Sequence, residues 1–80
     1  MTYMNIKTNV LEFINREILN NLNTIEENQE LLVSGILDSL SIMRVVSYLE
    51  RETGITIPPI DIALENFSSV NAMCNYLDSK

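Results

Sequence analysis

"GILDSLSIMRVV", residues 35–46, predicts a turn followed by a helix. Asp38 is a residue type that commonly caps a helix N-terminus, so this helix is expected to begin at Ser39. The apolar residues that recur at the spacing of one buried helix face are Ile42, Val45, Val46 and Leu49. Leu40 and Met43 project away from that face. The stretch therefore predicts a core helix with surplus apolar side chains beside a serine.

The surplus apolar side chains allow two interpretations. Scattered exposed hydrophobic residues are common in folded proteins, or the preceding loop covers them. Alternatively, they form a small docking patch next to a reactive position. Periodicity by itself does not decide between these interpretations.

Three other segments are predicted to be helical. Residues 6–19 place apolar residues at helical spacing: Ile6, Val10, Phe13, Ile14 and Ile18. Residues 60–64 are expected to make one short helical turn. A last helix, capped by Ser68 or Ser69, carries a single apolar stripe: Val70, Met73, Cys74 and Leu77.

The remaining stretches predict connections. The second helix is expected to end at Thr53, because Gly54 follows it and glycine is typical just past a helix C-terminus. Residues 55–59 contain two prolines and should be extended. Leu22 and Ile25 are expected to anchor a long first loop to the core. The predicted fold is an all-α, four-helix bundle, with three main helices and one short third helix, in a single domain of residues 1–80.

Composition excludes several classes of function. The net charge is −6 and the five basic residues are scattered, so neither nucleic acid nor an anionic membrane is an expected partner. The negative net charge indicates protein partners with basic surfaces, or it only keeps the protein soluble. The chain has no histidine, and its single Cys74 can form neither an internal disulfide nor a metal site unaided. Cys74 is expected to be a packing residue.

No targeting signal is recognisable in the sequence. The N-terminal residues lack the basic start and apolar run of a signal peptide. No run of roughly 18 apolar residues predicts a membrane span. Cytoplasmic residence is the resulting expectation, and the domain is separately expected to be a monomer.

Ser39 lies where an attached anion would be stabilised. A helix N-terminus presents unpaired backbone N–H groups and a partial positive charge. Without a nearby base the serine cannot activate itself as a nucleophile, so any modification requires another enzyme. The alternative is that Ser39 only helps to start the helix, as serines often do.

Two stretches resemble the phosphopantetheine-dependent carrier proteins of fatty-acid, polyketide and non-ribosomal peptide synthesis. Residues 35–59, "GILDSLSIMRVVSYLERETGITIPP", match the family's glycine, Asp-Ser-Leu, amphipathic helix and apolar-proline segment. Residues 65–77, "ENFSSVNAMCNYL", resemble its final helix. The resemblance implies that Ser39 carries a phosphopantetheine arm derived from coenzyme A, flanked by Asp38 and Leu40. Its implied partners are a phosphopantetheinyl transferase, an adenylating or other loading enzyme, and downstream tailoring or condensing enzymes.

The resemblance also implies a partner-binding surface on the second helix. The residues at matching positions are Leu40, Met43, Arg44 and Ser47, together with Ile60 and Ile62 near the short third helix. The chain departs from bacterial fatty-acid carriers, whose second helix is strongly acidic. Residues 38–53 hold three acids and two bases, and Ser41 occupies a position that is usually acidic.

This difference from the fatty-acid carriers favours a carried group (cargo) other than a fatty-acyl chain. The chain is most similar to freestanding peptidyl carriers, in particular those that hold a prolyl or pyrrolyl group as a thioester for natural-product assembly. It lacks the Gly-Gly-His/Asp-Ser core of many multidomain peptide synthetases. An acyl carrier for fatty-acid or polyketide synthesis is the first alternative. A helical interaction module with an unmodified Ser39 is the second, and no set of catalytic groups indicates an enzyme.

Overall fold

The first helix is α-helical at its start and widens at its end. The computed structural model describes residues 6–21 and 24–80. Helix α1 runs over Ile6–Phe13 and continues as a π-helical turn over Ile14–Ile18. The Leu19 amide donates to the Ile14 carbonyl at 2.9 Å, one residue further than in an α-helix. The predicted helix therefore exists, with a wider last turn than periodicity indicated.

Asparagine residues connect the π-helical turn to the first loop. Asn20 and Asn21 adopt positive φ angles of 52° and 61°, a conformation that asparagine tolerates better than most residues. The Asn15 side-chain oxygen accepts a hydrogen bond from the Ile25 amide at 2.9 Å. Ile25 is buried, as predicted. Leu22, the other expected anchor, lies outside the described residues.

Helix α2, Ser39–Thr53, has the boundaries that its sequence predicts. Gly54 ends it with a φ of 74°, in the left-handed conformation that glycine adopts without steric cost. Its amide donates to the Glu50 carbonyl at 2.9 Å. Residues 55–58 then form no helix, and Pro58 is extended as predicted. Pro59, which was also predicted to be extended, instead begins the following 3-10 turn.

The short third helix is divided into two pieces. A 3-10 turn covers Pro59–Asp61, and helix α3 covers Leu64–Phe67. The single turn predicted over residues 60–64 therefore spans the junction between them. Helix α4, Val70–Asp78, follows, and the Ser69 hydroxyl caps it by accepting a hydrogen bond from the Ala72 amide.

The core lies where α1 contacts both α2 and α4, while α3 packs against α4. The apolar stripes predicted for α2 and α4 are buried. Phe13 and Ile18 of the first segment pack against the core but stay half-exposed. Across residues 6–21 and 24–80 the structure contains helices and no strand, so the all-α prediction is confirmed.

A polar cluster fastens the end of α4 to the 3-10 turn. The Tyr76 hydroxyl donates to the Asp61 carboxylate at 2.6 Å, and the Lys80 ammonium lies 3.1 Å from the same oxygen. These contacts, the Tyr76 hydrogen bond foremost, lower the pKa of Asp61 below its ordinary value of 3.8. The charged form of Asp61 is therefore the form that stabilises the fold.

Asp61→Asn is expected to cost stability at neutral pH and progressively less in acid. Because the folded-state pKa is lowered, the Asp61 contribution is complete above the ordinary pKa and disappears as pH falls through the folded value. Urea unfolding of both proteins at about pH 7 and about pH 3 measures the difference. A difference in unfolding free energy that does not change with pH would contradict this role of the carboxylate.

Candidate functional site

The start of α2 is fixed by Asp38. Its backbone is extended, and its carboxylate accepts a hydrogen bond from the Ser41 amide at 2.8 Å. That hydrogen bond is the main reason why the pKa of Asp38 lies below its ordinary value. The predicted N-cap is confirmed, and it uses the aspartate side chain rather than the serine hydroxyl.

The turn before Asp38 is organised by a carboxylate that sequence reasoning missed. Glu30 accepts hydrogen bonds from the amides of Leu32, Val33 and Ser34 at 2.7–2.9 Å, which lower the pKa of Glu30. Gly35 closes the turn with a φ of 82°, and its amide donates to the Leu32 carbonyl. A glutamate four residues before a Ser-Gly pair was the available signal. The result is a defined approach of the chain to α2.

Ser39 is the first residue of α2 and is exposed to solvent. Its hydroxyl makes no hydrogen bond to any residue in the two described stretches. By contrast, the Ser34 hydroxyl donates to the Glu30 carbonyl at 2.8 Å and accepts from the Ile36 amide. Among these two serines near the turn, Ser39 is the one whose hydroxyl is not engaged in the fold.

The predicted surplus side chains of α2 face solvent. Leu40 is 79% exposed and Met43 is 49% exposed, whereas Val45 and Leu49 on the opposite side are fully buried. The side chains on the exposed face form one wall of an open groove, and they are Leu40, Met43, Arg44, Ser47 and Arg51. Four of these five residues were predicted as partner-binding residues, and the structure brings them together.

The two isoleucines of the predicted partner surface lie elsewhere. Ile60 is 86% exposed on the 3-10 turn, and Ile62 is half-buried against the core. Neither lines the α2 groove. A second open cleft, of about 480 Å³, lies between the Glu30 turn and α3 and includes the exposed Val33 and Leu64. Four exposed apolar residues thus line one of two clefts, and Ile60 lines neither.

An aromatic pair at the edge of the α2 groove was not predicted. Phe13 of α1 stacks on Tyr48 of α2 with ring centroids 4.2 Å apart and planes 17° apart. The Arg51 guanidinium lies over the Tyr48 ring, 5.6 Å from its centroid. Phe13 was predicted only as a core residue, because its contact with α2 depends on how the two helices cross.

Cys74 is buried, in agreement with its predicted packing role. Burial in apolar surroundings raises the pKa of its thiol, which keeps it in the unreactive neutral form. Within residues 6–21 and 24–80, no cluster of three histidine, cysteine, aspartate or glutamate side chains is arranged to hold a metal ion.

Comparison with protein families gives a match over most of the chain. Residues 9–77 match the family described as "Phosphopantetheine attachment site". The chain belongs to this family. Its members are phosphopantetheine carriers, so the protein carries phosphopantetheine, derived from coenzyme A, as a covalent cofactor. No curated protein matches the chain.

The structure of this carrier suits such a group. An exposed, unengaged hydroxyl stands at the N-terminus of a 15-residue helix. A phosphodiester anion is stabilised by the partial positive charge at that end of a helix. None of the helices formed by the described residues is both long enough and apolar enough to span a membrane.

Proposed function

We propose that Ser39 is the residue to which the phosphopantetheine arm is attached. The main support for this proposal is that capping the helix and exposing a hydroxyl are done by two different residues at the start of α2. Asp38 makes the cap hydrogen bond, while the neighbouring Ser39 hydroxyl stays exposed. Modification of Ser39 therefore removes no hydrogen bond that this structure uses.

A separate transferase is required for the attachment. Serine is a weak nucleophile unless a base removes its proton, and the chain contains no histidine. The nearest acid, Asp38, is occupied by the Ser41 amide, and its lowered pKa makes it a poor base. The carrier therefore acts as the substrate of a phosphopantetheinyl transferase that brings its own base and coenzyme A.

The carried group is proposed to be an aminoacyl group, of the prolyl or pyrrolyl type, for natural-product assembly. When attached, the arm supplies a thiol that holds the carried group as a thioester. Residues 1–80 then work as one monomeric carrier domain in the cytoplasm, served by an adenylating enzyme and by downstream tailoring or condensing enzymes. The domain is a substrate of these enzymes and not an enzyme itself.

The charge of α2 supports this cargo over a fatty-acyl group. Arg44 and Arg51 lie on the exposed face. Glu50, by contrast, is half-buried, and its carboxylate accepts a hydrogen bond from the Ile57 amide at 2.8 Å. Glu52 is exposed but does not line the groove, so the groove-lining face of α2 lacks the acidic character by which fatty-acid carriers are expected to bind basic enzymes.

An acyl cargo for fatty-acid or polyketide synthesis remains the second candidate. The cleft between the Glu30 turn and α3 favours it, because Val33 and Leu64 expose apolar surface that an acyl chain would cover. Loading assays distinguish the two cargoes. Attachment of proline by an adenylating enzyme supports the first, and attachment of malonyl or fatty-acyl groups by acyl-transfer enzymes supports the second.

Incubation with coenzyme A and a broad-specificity phosphopantetheinyl transferase is expected to modify the chain once. The intact mass should increase by one phosphopantetheine group, because one exposed serine stands at the start of α2. Peptide mapping should place the group on Ser39. A chain whose mass does not change under conditions that modify a known carrier would support an unmodified helical interaction module instead.

A further inference from the structure

The groove on the exposed face of α2 combines an apolar surface with fixed positive charge. It has a volume of about 440 Å³. Leu40 and Met43 supply exposed apolar surface, and the stacked rings of Phe13 and Tyr48 form its far side. The groove is therefore large enough to receive an apolar side chain of a partner.

Both arginines of the groove contact neighbouring groups. One Arg44 guanidinium N–H donates to the Glu17 carbonyl at 3.2 Å, and an arginine has five such donors. Arg51 lies over the Tyr48 ring, and its contact with Glu52 is loose, at 3.9 Å between exposed side chains. Most guanidinium donors of the two arginines thus remain available to a partner.

The charged residues that line the groove are positive, whereas the protein as a whole is negative. The chain has a net charge of −6, yet two of its five basic residues line this groove. Among the described residues that line it, none is acidic. Two other basic residues are engaged elsewhere, since Lys7 pairs with Glu27 and Lys80 with Asp61.

We infer that this groove binds an acidic segment of a partner protein, in which an apolar side chain is flanked by carboxylates. The apolar side chain contacts Leu40 and Met43, while the carboxylates accept hydrogen bonds from Arg44 and Arg51. Arginine suits carboxylates because its planar group donates two parallel hydrogen bonds. This inference deepens the proposed function, since such a segment would belong to an enzyme that acts on the arm. It reverses the partner chemistry that net charge alone indicates.

The test uses two helical peptides as probes, one of leucine and glutamate and one with lysine in place of every glutamate. Net charge predicts that an acidic chain repels the glutamate peptide. The inference predicts instead that this peptide shifts amide NMR signals of residues 40–51 selectively, and that about 0.5 M salt abolishes the shifts through screening.

Arg44→Glu and Arg51→Glu test the arginines separately. Each is expected to weaken binding of the glutamate peptide about tenfold, because each places like charges opposite one another. Lys7→Glu is the matched control, because it changes the net charge by the same amount outside the groove and should leave the affinity within about twofold. Melting curves of all three variants show whether they are folded.

Three results would overturn the inference. The lysine peptide could shift the groove signals as strongly as the glutamate peptide, or Lys7→Glu could weaken binding as much as Arg44→Glu. The groove signals could also shift with protein concentration alone, which would identify a second copy of the chain as the occupant. Neither probe requires the arm, so a failure of the proposed attachment appears in the intact mass and leaves this test unaffected.

Discussion

Ser39→Ala is expected to abolish attachment of phosphopantetheine without unfolding the domain. The change removes the hydroxyl oxygen that would bond to the arm, so no residual modification is expected. The cap of α2 is unaffected, because the Asp38 carboxylate provides it. An exposed surface change of this kind usually alters the unfolding free energy by less than about 0.5 kcal/mol. Intact mass after incubation with transferase and coenzyme A, together with a circular dichroism melt, measures both effects.

Ser34→Ala and Ser41→Ala are the matched controls for this result. Both serines lie close to Ser39 in sequence, and both variants should gain the mass of one phosphopantetheine group. Ser34→Ala removes a hydroxyl that takes part in the preceding turn, so its unfolding free energy should be lower by about 1 kcal/mol. Modification that persists in Ser39→Ala but is lost in one of the controls would show that the arm is attached to the serine replaced in that control.

Val46→Asp is expected to unfold the domain, whereas Leu40→Asp should leave it folded and impair loading. Val46 is 3% exposed, and an unpaired carboxylate at that depth loses its hydration without gaining a partner. A domain has only about 5–15 kcal/mol of stability in total. Leu40 is 79% exposed, so its replacement removes surface that only a partner would cover. Loss of an apolar anchor at an interface can cost ~2 kcal/mol or more in binding.

The measurement pairs thermal melting with the loading rate by the cognate adenylating or acyl-transfer enzyme. Met43→Asp should resemble Leu40→Asp, with a smaller effect because Met43 is more covered. Equal loss of melting temperature in all three variants would show that Leu40 and Met43 belong to the core. Normal melting with normal loading in Leu40→Asp would show that the loading enzyme binds elsewhere.

The parts of the fold that local chemistry determines were predictable. Helix α2 begins after Asp38 and ends before Gly54, because a cap and a left-handed glycine act within one turn of the chain. The core stripes of α2 and α4 followed from spacing alone, since a surface helix must bury one face.

The parts that depend on distant contacts were not predictable. Phe67 is fully buried, yet it lies in a short helix that has no repeating pattern to reveal it. Tyr76 lies beside the core stripe of α4, and its burial accompanies a hydrogen bond to Asp61, fifteen residues away. The π-helical turn over residues 14–18 likewise contains Asn15, whose hydrogen bond with Ile25 the spacing of apolar residues does not encode.

The candidate site shows the same division. The position of Ser39, and the fact that Leu40 and Met43 project away from the core stripe, followed from helical geometry. That no loop covers these two side chains required the structure. The groove also needs Phe13, which comes from α1 and whose place beside Tyr48 is set by the packing of the two helices. Net charge could not locate the two arginines of this surface, because a sum over the chain does not say where charged residues lie.

The cap at Asp38 has a thermodynamic consequence for the carrier cycle. Linkage requires that a modification changes stability only if it interacts differently with the folded and the unfolded chain. With the cap hydrogen bond made by Asp38, an arm on Ser39 would gain little from the fold beyond the weak field of the helix end. The unmodified, modified and loaded forms should then melt at similar temperatures. Partner enzymes would have to distinguish these forms by the group attached to Ser39, since the stability of the fold would be similar in all three.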